Sequence, residues 1–245
     1  MLIPPDDNPA GSWKEKVLYS FASAPDDAVP FDAVVLDSAG NLYGTTNVGG
    51  AMGFGSVFKL TPPSLPHGAW TESILYSFTG ESDGATPYSG VVFDARGNLY
   101  GAAWAGGNFA GGTIYQLTPP ATPRGAWSEN TLYQFTGATD GSAPVATPIL
   151  DRNGNIFGTA SQGNGGTFAV CAPYCGSVFE LTPPASAANP WVETTLYSFV
   201  GVNGLQYDGA FPTGSLLLGK QGVLFGTTMA CGDFVGDGAA FEIVH

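Results

Sequence analysis

Four aspartates recur in one local setting. Asp83, Asp140 and Asp208 each open an Asp-Gly-x-x-Pro element that closes at Pro87, Pro144 and Pro212, and Asp26 opens a degenerate copy that closes at Pro30. Gathered at one end of a repeat array, such carboxylates would bind a divalent cation or sugar hydroxyls. The competing role is local, each Asp capping its own turn by accepting backbone N–H groups. Repetition in every copy favours the cap, because a binding site tends to break symmetry. Residues that break it are therefore the sharper candidates. Trp104 stands where the first copy has Asn47, and Tyr88 directly follows Pro87. An exposed indole or phenol there would stack on a sugar ring or anchor a partner. Phe109 and Tyr174 are further loop aromatics. The alternative for all of them is burial between repeats.

Other chemistry is poorly supplied. The two histidines, His67 and His245, are far apart in sequence, which argues against triads and His-metal sites. No Asp-x-Asp-x-Asp calcium loop, P-loop, dinucleotide fingerprint or Gly-x-Ser-x-Gly element is present. Two loop carboxylates could serve a glycoside hydrolase or lyase. Acid and base must differ in environment, however, and a repeated motif gives each Asp similar surroundings. Cys171 and Cys175 share a loop that is longer than its counterparts in the first two copies, and a small disulfide between them suits an oxidising compartment. Cys231 is left over.

These residues are positioned by a tandem repeat. The segment Trp13-Lys-Glu-Lys-Val-Leu-Tyr-Ser-Phe21 returns as Trp70 to Phe78, Trp127 to Phe135 and Trp191 to Phe199. After each comes the Asp-Gly-x-x-Pro element, then an apolar run and a turn such as Asp94-Ala-Arg-Gly97-Asn98-Leu-Tyr-Gly101. A run such as Gly55-Ser-Val-Phe-Lys-Leu-Thr-Pro62 closes the unit. Each unit thus holds four short apolar runs bounded by Gly, Pro, Asn or Asp, which is a strand signature. The Asp-x-x-Gly-Asn element reads as a tight hairpin, and four antiparallel strands per unit has the size of a propeller blade.

The expectation is an all-β fold: a β-propeller of four four-stranded blades. Residues 1–12 form a tail and 13–245 a single domain, with repeats beginning near 13, 70, 127 and 191. A blade should start after the Asp-Gly-x-x-Pro element and end at the Leu-Tyr-Ser-Phe strand. Read that way, the fourth blade lacks its last strand and the chain begins with a spare one. The N-terminal strand then pairs with the last blade and hides both edges. A dimer forming an eight-bladed ring fits the same arithmetic; the monomer is preferred.

Composition limits the partners. With 7 basic and 20 acidic residues the net charge is −13, which repels nucleic-acid backbones and anionic membranes. No run is long and apolar enough for a transmembrane helix, and no signal peptide is visible at the start.

The recurring Leu-Tyr-Ser-Phe, Asp-Gly-x-x-Pro, Gly-Asn-Leu-Tyr-Gly-Thr-Thr and Gly-x-Val-Phe-x-Leu-Thr-Pro segments resemble the GloVer tandem repeat, over about residues 13–244. The resemblance implies a bacterial protein that is exported or held at the cell surface. The Gly-Asn-Leu-Tyr hairpin is also similar to that of NHL-type propellers, commonly binding scaffolds. The resulting expectation is a non-enzymatic extracellular binding or scaffold module whose ligand is a glycan or a protein. No cofactor is expected beyond a divalent cation at the ring end as an alternative. A surface or filament subunit and a carbohydrate-active enzyme are the other two readings.

Overall fold

A computed structural model describes residues 2–3, 14–22, 28–122, 125–163, 175–186, 189–203, 206–232 and 237–244. They form an all-β structure of antiparallel sheets with no α-helix among them, and no helix is long and apolar enough to cross a membrane. In chain order, β1 (Leu2–Ile3) pairs with β2 (Lys14–Glu15). The first repeat contains β3 (Ala28–Pro30), β4 (Val35–Leu36), β5 (Leu42–Val48), β6 (Ser56–Thr61) and β7 (Thr71–Ser77). The second contains β8 (Val91–Phe93), β9 (Leu99–Ala103), β10 (Thr113–Thr118) and β11 (Ser128–Gln134). The third contains β12 (Ser142–Pro144), β13 (Ile149–Leu150), β14 (Ile156–Gln162), β15 (Ser177–Thr182) and β16 (Val192–Ser198). A short pair, β17 (Val202–Asn203) and β18 (Gln206–Tyr207), leads to β19 (Leu217–Leu218), β20 (Leu224–Thr228) and β21 (Ala239–Ile243).

Three repeats contain up-and-down meanders, β4 to β7, β8 to β11 and β13 to β16; β3 also pairs with β5 and β12 with β14, so the first and third sheets have five strands instead of the expected four. The fourth has three strands, in the order β19-β20-β21. The strand pairing expected to complete it is not among the pairings of the described residues. Lys14 and Glu15 pair with Ile3 and Leu2 instead, and residues 16–22 carry no strand.

The repeat motifs have physical reasons. In each sheet, the Gly of the second strand lies opposite an aromatic residue of the third: Gly44 and Phe58, Gly101 and Tyr115, Gly158 and Phe179, Gly226 and Phe241. A Cβ on Gly158 would sit 2.5 Å from Cζ of Phe179, so only glycine lets the ring fold down over the neighbouring strand. The closing Phe of the preceding repeat then meets that ring edge-on. Phe78 meets Tyr115 at 5.0 Å between centroids, Phe135 meets Phe179 at 5.1 Å, and Phe199 meets Phe241 at 5.1 Å. These contacts run through the apolar cores between successive sheets. Phe21 meets Phe58 in the same way, at 4.9 Å, so residues 19–21 already stand against the first sheet as a preceding repeat would.

Sequence periodicity did not reveal a bulge that recurs in three repeats. The register slips between Val57 and Phe58, between Ile114 and Tyr115, and between Val178 and Phe179. Leu75, Leu132 and Leu196 are the residues left without a register partner. A bulge increases local twist, and strict alternation along a strand fails at it.

Candidate functional site

The Asp-Gly-x-x-Pro element is a structural latch. Asp83 accepts from the backbone N–H of Thr79 and the hydroxyl of Tyr76, each at 2.8 Å, and from the Thr79 hydroxyl. Asp140 does the same with Thr136 and Tyr133, and Asp208 with Val200 N–H and Tyr197. Asp83 and Asp140 are buried. These carboxylates are turned into their own repeats and cap their own turns. Asp26 lies outside the described residues. Among those described, no group of three or more His, Cys, Asp or Glu could hold a metal ion.

Later in the element comes an unusual backbone. Val29, Thr86, Ala143 and Phe211, each just before the Pro, all have positive φ between 54° and 58°. β-branched residues rarely adopt this conformation. It turns the N–H of Thr86 to Phe54 O, that of Ala143 to Gly111 O and that of Phe211 to Cys175 O, at 2.8 Å each, tying each repeat to the loop of the one before. The following Pro packs over that loop: a Cβ on Gly112 would lie 2.7 Å from Cδ of Pro144.

This latch delivers residues that directly follow it in every repeat to a common place. One cavity of about 520 Å³ is lined by Phe31 and Asp32 of the first repeat, Tyr88 of the second, Val145 and Ala146 of the third, and Thr213, Gly214 and Ser215 of the fourth. A cleft of about 870 Å³ elsewhere is lined by the hairpins of the last two repeats only, near Asp151 and Lys220. The four-repeat cavity is the candidate site.

Its chemistry is asymmetric. Asp32 Oδ2 accepts from the Thr147 hydroxyl at 2.6 Å and from the N–H of Gly90 at 2.8 Å, while Oδ1 accepts from Ala33 N–H at 2.7 Å. Three repeats therefore fix one carboxylate. The equivalent residues in the other repeats are Ser89, Ala146 and Gly214, none of them ionisable. Phe31 and Tyr88 meet edge to face at 4.8 Å, and Tyr88 meets Trp104 likewise at 5.8 Å. Tyr88 and Trp104, singled out from sequence, are thus brought together. Phe31 and Asp32 were missed. Their signal was available, since the position five residues after the Asp reads Phe31, Tyr88, Val145 and Thr213 while the flanking motif is kept.

Phe109 is exposed away from this group, and Tyr174 and Cys171 lie outside the described residues. The expected partner of Cys171, Cys175, is fully buried, and Cys231 is a buried free thiol.

A second set of carboxylates lies between sheets. Glu129 is pushed up to about 7 by burial, against a hydrogen bond from Thr131 that lowers it, with the charge of Asp83 raising it further. Glu193 is raised in the same way beside Asp140. A carboxyl whose folded pKa is raised favours its protonated form in the folded state. Its cost is absent below about pH 4.5 and grows as pH rises to about 7. Glu129→Gln should therefore stabilise the protein at pH 8 by roughly 1 kcal/mol, discounted for the solvent that still reaches the group, and give no gain at pH 4.5. Urea denaturation at the two pH values checks this; a loss at pH 8 would contradict it.

With the repeats and their junctions described, the family can be stated. The model of the Gloeobacter/Verrucomicrobia repeat matches residues 32–245. The chain belongs to that repeat family. The match spans Asp32, the three regular Asp-Gly-x-x-Pro elements and Trp104, while Phe31 and the degenerate first element lie just before it. No curated protein matches the chain.

Proposed function

We propose that this protein is a closed four-bladed β-propeller acting as a non-enzymatic extracellular binding module, with the four-repeat cavity as its ligand site. The single observation that carries this reading is convergence: one cavity takes lining residues from every repeat, at the positions where the repeats differ. A volume of about 520 Å³ is within the range of small-ligand sites. An aromatic wall with a few fixed polar groups suits either a sugar or a protruding side chain of a protein, and such a ligand needs no cofactor.

Ring closure is part of the proposal. Segment 14–21 stands in for the missing outer strand of the fourth repeat by moving from β1 to the free edge of β21. Three observations support it. Phe21 already makes the contact with Phe58 that Phe78 makes with Tyr115, and the Tyr19 hydroxyl donates to Glu72 at 2.8 Å. Along β21 runs a groove of about 290 Å³ lined also by Tyr197, Phe199 and Asp208, where the other sheets place their outer strand.

The test is a glycan array probed with the intact chain and with Trp104→Ala and Tyr88→Ala, with calcium and with chelator. Selective binding lost in both variants is expected, without chelator sensitivity. A blank array under both conditions would move the reading to a protein ligand. The second reading, a self-assembling surface subunit, draws on the free edge of β21 and the exposed Leu217, Phe225 and Met229 of the same repeat. Concentration-dependent mass in light scattering would favour it.

A further inference from the structure

We infer that the four-repeat cavity recognises an organic ammonium group, with Asp32 as its counter-charge and Phe31 and Tyr88 as its aromatic wall. The inference rests on the cavity being the ligand site. Three observations carry it. Among the described residues that line the cavity, Asp32 is the one carboxylate and none is basic. None of these residues supplies a counter-ion, so a ligand cation would supply it. The carboxylate is also preorganised. Gly90 and Thr147 hold Oδ2 and Ala33 holds Oδ1, which uses three of roughly four acceptor positions and leaves one for a ligand.

The aromatic arrangement is the second observation. Phe31 and Tyr88 meet at an interplanar angle of 76°, and Tyr88 and Trp104 at 78°. Edge-to-face packing leaves ring faces uncovered, and Phe31 is 63% exposed. A ring face is the negative end of the aromatic quadrupole and attracts a cation, most strongly a weakly hydrated alkylammonium. A metal ion does not fit the same donors. A single carboxylate with apolar and hydroxyl neighbours falls far short of the six or more oxygens that calcium takes, and no metal-type cluster is found among the described residues.

The third observation is the field of the whole chain. A net charge of −13 with 7 basic residues raises the local concentration of cations and repels anions at a cleft of this sign. Neutral sugars would gain nothing from that field, whereas a free ammonium compound or an amino sugar would.

The experiment titrates the full chain with two cation–neutral pairs by calorimetry and by NMR of the Trp104 indole N–H. Choline is set against 3,3-dimethylbutan-1-ol, its uncharged isostere, and protonated glucosamine against glucose. At least one cation should bind about tenfold or more tighter than its neutral counterpart, corresponding to about 1.4 kcal/mol. Choline ahead of glucosamine identifies a free ammonium head group as the ligand chemistry; the reverse order identifies an amino sugar. Asp32→Asn keeps the shape and should erase the gap within the pair. Phe31→Leu, at an exposed position, should weaken the cation several-fold with unchanged thermal stability, and serves if Asp32→Asn does not fold. Equal binding of both members of each pair would overturn the inference while leaving the cavity as a site. A flat titration for all four compounds, alongside an array hit that needs Tyr88, would overturn it too.

Discussion

Deletion of residues 1–22 should abolish cooperative folding of the chain at room temperature. The described contacts alone lose the Phe21 ring from Phe58 and the Tyr19 hydroxyl from Glu72. Under the proposed closure the loss is much greater, because the outer strand of the fourth repeat would go with them. Phe241 and Ile243, on the last strand, belong to the apolar cluster of the third and fourth repeats, and an uncovered edge leaves that cluster open to water. Domains hold only about 5–15 kcal/mol of stability, so losing one strand and its interface consumes most of it. Circular dichroism with thermal and urea unfolding checks this. A truncated chain that melts cooperatively within a few degrees of the full one would exclude segment 14–21 from the closed structure.

The second large effect is at the seams between repeats. Phe135→Ala is expected to cost about 3–5 kcal/mol, the usual range for emptying a buried aromatic position. Phe135 is fully buried, packs edge-on against Tyr133 and Phe179, and sits in the cluster shared by the second and third repeats. Partial collapse into the cavity is resisted because Phe179 already rests on Gly158. For a domain of this size each kcal/mol shifts the melting point by about 2–4 °C, so the transition should fall by about 6–20 °C. Phe109→Ala, at an exposed loop position, should change stability by no more than about 0.5 kcal/mol. Denaturant titration of both variants decides; a Phe135→Ala loss below about 1 kcal/mol would contradict the seam described here.

Repetition made the sheets legible from sequence and concealed the site. The Gly-Asn-Leu-Tyr-Gly and Gly-x-Val-Phe runs and their variants located the central strands of the four repeats, because tight turns and apolar runs are local signals. The Leu-Tyr-x-Phe run located the outer strand of three repeats but not a strand over residues 18–21, and the bulge at Leu75, Leu132 and Leu196 depends on cross-strand register and leaves no local mark. The conspicuous aspartates were half understood. Their carboxylates serve their own turns, and the residues that reach the shared cavity lie five to seven positions later. Trp104 and Tyr88 stood out as unusual residues. Phe31 and Asp32 lie in the degenerate first copy, where the departure from the repeat pattern masks them. The role of Asp32 could be found only from the structure, since Thr147 reaches it across 115 positions of sequence.

The central claim, that segment 14–21 closes four repeats around one cavity, is tested most directly by amide hydrogen exchange of residues 239–243 in the dilute full-length chain. In β21, alternate amides bond to β20 and the rest face the outer edge. Closure predicts that both sets exchange slowly, to a similar degree, in a protein whose scattering mass is that of one chain. If the edge-facing amides exchange at the rate of unprotected peptide while their neighbours remain slow, the edge is open and the ring does not close.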